Sequence, residues 1–127
     1  MEDISIEGWK GVYIVPTVNF SSATGECEII GESFLEETYK FYSPLVDWIK
    51  RYIETHNSIK FTFKLSYFNT STSKWILTIF SELRKFELAG GKVDVIWYYY
   101  EDDIDMRDDI LDYMNDTGLT ITLSPII

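Results

Sequence analysis

The chain has one cysteine, one histidine, three prolines and about half as many basic as acidic residues, 11 against 21. Each scarcity removes a class of function. A lone thiol, Cys27, closes no internal disulfide and completes no Cys/His metal spacing, so its expected place is a small buried side chain. The lone imidazole, His56, closes a helical stretch and suits a residue facing the favourable end of the helix dipole better than a catalytic base. A formal charge of −10 repels phosphodiester backbones and anionic headgroups. Nucleic acid and membrane surfaces are therefore poor partners, and basic protein surfaces are better ones. No stretch approaches the roughly 18 apolar residues of a membrane span. Met1 to Gly8 carries acids and no long apolar run, and the chain reads as cytoplasmic.

What is present is a core. Hydrophobic residues at 46% and aromatics at 17% suffice for one hydrophobic interior, and 127 residues read as a single domain, 1–127. Met1 to Lys10 has no clear period and is expected to be an extended lead-in. Gly11 to Phe20 and Glu26 to Ile30 are strand-like, separated by turn chemistry over Ser21 to Gly25, and predict an antiparallel hairpin. Pro16 argues for an edge position or a bulge, because it offers no N–H. From Phe34 the period changes. Leu35, Tyr39, Tyr42, Val46, Ile49 and Ile53 align on one helical face, with Ser33 as its cap. Pro44 predicts a kink, or two abutting helices with Ser43 capping the second.

Ile59, Phe61, Phe63, Leu65 and Tyr67 alternate with polar residues, giving a strand with one apolar face. Ser71 to Leu88 follows as a helix burying Ile76, Ile79, Phe80 and Leu83, and Ala89-Gly90-Gly91 ends it. Val93, Val95, Trp97 and Tyr99 form the next strand. An acidic helix from about Asp103 to Asn115 stops at Gly118, and Leu119, Ile121 and Leu123 predict the last strand. The order is β-β-α-β-α-β-α-β, an α/β (α+β mixed) architecture. Right-handed crossovers progressing one way across the sheet put the helices mainly on one face of a mixed sheet, and half-polar strands agree with this.

The functional candidate is Tyr67 to Lys74, Y-F-N-T-S-T-S-K, where a strand runs into a helix start. Unpaired N–H groups and the positive dipole end suit a phosphate there. Thr70, Ser71, Thr72 and Ser73 allow two readings. They are helix caps, flanked by Asn69, or one of them is phosphorylated, with the added charge lying on the dipole. The stretch lacks the glycines of a Walker-type loop, so Lys74 alone makes no nucleotide site. A hydrolase nucleophile lacks a nearby histidine. The acids from Glu101 to Asp112 have no glycine turn for a calcium loop and read as a solvated helix start or a docking surface for a basic partner; no metal is expected. Trp75 and Leu77, off the buried stripe, are expected to form an apolar patch beside the hydroxyls. Tyr98 and Tyr100 point away from Trp97 as interface anchors, which is also compatible with a homodimer.

Three segments carry a family likeness. F-K-L-S-Y-F-N-T-S-T-S-K (Phe63 to Lys74), G-G-K-V-D-V-I-W-Y-Y (Gly90 to Tyr99) and G-E-S-F (Gly31 to Phe34) resemble the SiaC-type regulatory phosphoproteins, over nearly the whole chain. That family is similar to the STAS domains of anti-sigma factor antagonists, in which a hydroxyl at the start of a helix after a central strand is phosphorylated. The resemblance implies a STAS-like fold, no enzymatic activity and no cofactor. It also implies that Thr70, in the N-T-S motif with Asn69 and Ser71, is the phosphoacceptor. A dedicated kinase of the histidine-kinase-like ATPase class would modify it and a PPM-type phosphatase reverse it. The unphosphorylated form would bind and activate a diguanylate cyclase in c-di-GMP control. An anti-sigma factor antagonist, and a small anion-binding or catalytic module using the helix start at Thr70–Ser73, stand as alternatives.

Overall fold

A computed structural model describes residues Met1–Ile127. Its centre is a six-stranded mixed sheet. The strands are β1 (Ile4–Ile6), β4 (Thr17–Phe20), β5 (Glu26–Ser33), β6 (Ser58–Phe68), β7 (Lys92–Tyr100) and β8 (Thr122–Ile126), in that spatial order. A separate two-stranded ribbon pairs β2 (Trp9–Lys10) with β3 (Ile14–Val15). β1, β4 and β5 are antiparallel, whereas β5 to β8 are parallel and joined by α1 (Thr38–Thr55), α2 (Thr70–Leu88) and α3 (Ile104–Thr117).

Parallel neighbours need long crossovers, and each of these contains a helix. The three crossovers advance the same way across the sheet, so right-handedness stacks all three helices on one face. Burial agrees. Ile59, Phe61, Phe63 and Leu65 of β6 join Ile76, Ile79, Phe80 and Leu83 of α2 in one core of 26 buried side chains, while Lys60, Lys64 and Ser66 face water. The four α2 positions are those its 3.6-residue period predicts.

Several expectations need correction. Residues 1–10 are not a featureless lead-in, because Ile4–Ile6 forms the sheet's edge strand against β4. The predicted strand over Gly11 to Phe20 is cut by Pro16 into β3 and β4, and β4 is interior instead of an edge. Ser33 ends β5 instead of capping a helix. α1 begins at Thr38 behind Glu37, which makes no side-chain cap. Pro44 does not split α1, which runs through it. Pro44 and Lys40, whose carbonyl loses its partner, are both exposed, so water can satisfy that oxygen. The buried stripe of α1 includes Leu45, Trp48 and Tyr52, while Tyr39 is exposed. The last strand is Thr122–Ile126, preceded by buried Leu119 and Ile121.

The end of β6 also departs from strict alternation. β7 pairs with β6 only as far as Phe63↔Trp97, and β5 shifts register between Gly31 and Glu32. Gly31 has φ +111, a conformation that side chains with a Cβ disfavour. Past Leu65 the strand is held from one side, Tyr67 turns outward and Phe68 packs against the core.

Candidate functional site

The parallel strands end on one edge of the sheet, and α1, α2 and α3 all begin there. Tyr67 and Phe68 lead into Asn69, the N-cap of α2. Its Oδ1 accepts from the Thr72 amide at 3.0 Å and from the Ser71 hydroxyl at 3.2 Å. Its own amide donates to the Ser33 carbonyl at 3.1 Å, and its Nδ2 donates to the Leu35 carbonyl at 3.4 Å. One side chain thus caps the helix and ties its start to the loop after β5.

The four hydroxyls of the run are not equivalent. Thr72 is fully buried, its Oγ1 2.9 Å from Ser33 Oγ, which is 2.7 Å from the Tyr42 hydroxyl. This triad joins β5, α1 and α2 inside the core. Burial pushes the Tyr42 phenol up to about 12, against the downward pull of its hydroxyl partners. Ser73 is half-buried, its Oγ 2.7 Å from the hydroxyl of Tyr113 on α3. Burial likewise raises Tyr113 to about 12, partly offset by that bond. Ser71 is exposed but turned onto Asn69. Thr70, the first residue of α2, is exposed, and its hydroxyl makes no hydrogen bond. The amides of Thr70 and Ser71 have no intrahelical acceptor.

Capping and an available hydroxyl therefore coexist, on different residues. No base touches Thr70 Oγ1, so the geometry offers a hydroxyl to be modified and lacks an activated nucleophile. His56 ends α1 at the opposite edge, its Nδ1 2.9 Å from the Tyr52 carbonyl, as its helix-end reading expects.

Lys74 is exposed and unpaired one turn into α2. Trp75 does not form an open patch with Leu77. It is half-buried, stacked on Tyr42 at 6.4 Å and beside Tyr39 at 5.9 Å. Tyr98 and Tyr100 do lie on the sheet face opposite Trp97, half-buried and exposed respectively. With Ile30, Lys64 and Ile126 they line a small cavity of about 200 Å³, separate from the hydroxyl run. The acids after β7 surround the start of α3, where Asp103 Oδ1 accepts from the Met106 amide at 3.0 Å. Cys27 is buried beside the Gly25 carbonyl, and desolvation raises its thiol well above the ordinary range.

Sequence reasoning missed two features of this edge. One is the buried triad, whose only signal is a serine at the inward position that ends β5. The other is an exposed aromatic cluster. The rings of Phe34 and Tyr67 lie 6.4 Å apart, and Tyr13 stacks on Phe34 at 5.9 Å. Tyr67 was hidden because alternation assigns it to the core.

Comparison with known proteins agrees with this architecture. The structure matches apo-SiaC from Pseudomonas aeruginosa with a TM-score of 0.84 at 20% identity, over 98% of this chain and 99% of that one. It matches a structure of the diguanylate cyclase SiaD in complex with its activator SiaC, from the same organism, with a TM-score of 0.85 at 19% identity, over 95% of this chain and 100% of that one. At such identities these matches establish the fold. In sequence, an uncharacterized protein of Pseudomonas aeruginosa (strain UCBPP-PA14) is 25% identical over 100 residues, covering 78% of this chain and 77% of its own length. The family model described as SiaC family regulatory phosphoprotein matches residues 10–126, nearly the whole sequence. The chain belongs to the SiaC family of regulatory phosphoproteins.

Proposed function

We propose that this protein is a cytoplasmic signalling switch whose phosphoacceptor is Thr70. A Ser/Thr kinase of the histidine-kinase-like ATPase class transfers a phosphoryl group from ATP to Thr70 Oγ1, and a PPM-type phosphatase removes it. The unphosphorylated form binds and activates a diguanylate cyclase. The observation that carries the reading is the contrast within the hydroxyl run: Thr70 alone is both exposed and free of hydrogen bonds, at a helix start whose amides and dipole stabilise a dianion. The Pseudomonas complex of SiaD with its activator SiaC supports the class of the output partner.

Intact-mass measurement after incubation with the cognate kinase and ATP tests the site. The wild-type protein gains one phosphate, Thr70→Ala gains none, and Ser71→Ala behaves as wild type. Full phosphorylation of Thr70→Ala moves the acceptor elsewhere. The alanine variant, locked unphosphorylated, is expected to keep the cyclase active in the presence of kinase and ATP.

A further inference from the structure

The edge that presents Thr70 also carries exposed aromatic side chains at the strand ends. Phe34 directly follows β5, and Tyr67 is the penultimate residue of β6; they are 38% and 48% exposed. The β2–β3 ribbon is fastened to them through paired backbone bonds between Ile14 and Phe34, 2.8 and 2.9 Å long, which bring Tyr13 onto the Phe34 ring. The two Asn69 bonds to Ser33 and Leu35 flank Phe34 in sequence. Thr70 directly follows Asn69, and Tyr67 lies three residues before it, which puts all of them at this edge of the sheet.

The border of that surface is acidic. Glu36 and Glu37 precede α1, and Glu101, Asp102, Asp103 and Asp105 surround the start of α3. Of the edge's cations, Lys10 is paired with Glu32 at 3.5 Å and Lys40 with Glu37 at 2.8 Å, leaving Lys64, Lys74 and Arg107 against the remaining carboxylates. An apolar centre inside an anionic border fits a protein surface with an apolar centre and a Lys/Arg rim. A second copy of this chain would bring the same acids to the contact, and an anionic membrane would be repelled in the same way.

We propose that Tyr13, Phe34 and Tyr67 form the docking surface for such a basic-rimmed protein partner, with Thr70 inside its footprint. The inference rests on the reading of Thr70 as the switch and identifies how the switch acts. In water the helix start stabilises a phosphate, but inside the contact a dianion would lose its hydration beside aromatic rings. Phosphorylation then releases the partner by desolvation in the apolar centre, although the partner's rim is cationic.

Calorimetric titration of the unphosphorylated protein with the SiaD-type diguanylate cyclase of its own organism tests this. Phe34→Ala and Tyr67→Ser, both at exposed positions, are each expected to raise Kd about tenfold. Leu88→Ser, a more exposed apolar site at the other end of α2, is expected to leave it unchanged. Glu36→Gln combined with Glu37→Gln is expected to flatten the salt dependence of binding. Circular dichroism and melting curves verify that each variant is folded. Wild-type affinity in the folded Phe34 and Tyr67 variants overturns the docking surface alone. Undiminished binding by the Thr70-phosphorylated protein removes Thr70 from the footprint, and no binding by the unphosphorylated wild type overturns the cyclase reading together with this surface.

Discussion

Neighbouring threonines of one helix turn do opposite work. Thr72 occupies the third position of α2, facing inward, and its hydroxyl is satisfied by Ser33, itself hydrogen-bonded to Tyr42. Thr70 occupies the first position, facing water, with nothing to hold it. Substituting valine at each site separates these roles, since valine keeps the branched shape and removes the hydroxyl. Thr72→Val leaves buried Ser33 Oγ short of a partner and is expected to cost about 1–2 kcal/mol in denaturant unfolding. Thr70→Val is expected to change stability by less than about 0.5 kcal/mol, because the cap belongs to Asn69. A large loss at Thr70 with none at Thr72 would contradict this assignment. Composition and periodicity could locate four hydroxyls at a helix start, but could not rank them. Ranking depends on what β5 and α3 bring against them from 39 and 40 residues away in sequence.

Phenols join the helices to the sheet edge and to each other, in addition to packing. Tyr42 links α1 to β5, and Tyr113 links α3 to the first turn of α2. Both are held neutral by burial, with phenols raised from 10 to about 12. The folded state therefore keeps these protons more tightly than the unfolded chain does. The stabilisation is complete below pH 10 and is lost as pH rises from about 10 through about 12. Unfolding midpoints in urea should be flat from pH 7 to 9 and fall above 10, by roughly 1 kcal/mol per phenol at pH 11. Tyr42→Phe should flatten part of that fall. Elements with a full period and local punctuation, such as α2 with Asn69 and α3 with Gly118 at φ +77, are legible from sequence alone. The start of α1 is not, because Leu35 fits the helical period while Ser33, the apparent cap, is drawn into the core triad. The last strand extends beyond Leu123 because Pro125, which looks like a terminator, lies on an edge strand where its missing N–H is harmless.

At the scale of the whole molecule, stacking every helix on one sheet face has an electrostatic consequence. It gathers three helix N-termini at one edge, and the sequence places carboxylates around two of them, at Glu36 and Glu37 and from Glu101 to Asp105. Close to a positive dipole end such charges are favourable. Farther along α3 they are not: Asp109 is raised by desolvation first and then by Asp112, Asp105, Asp103 and Asp108. With a net charge of −10, self-repulsion opposes the compact state, and salt relieves it over a Debye length that falls from about 30 Å at 0.01 M to about 3 Å at 1 M. The five ion pairs that salt would weaken are at least partly exposed and contribute little. Relief of repulsion should therefore win, and the melting midpoint should rise by a few degrees, on the order of 1 kcal/mol, between low salt and 0.5 M sodium chloride. Sucrose at matched osmolality controls for general solvent effects. Asp109→Asn should reproduce part of the rise at low salt and reduce its dependence on salt, whereas a midpoint that falls with added salt would mean that the surface ion pairs outweigh the repulsion along α3.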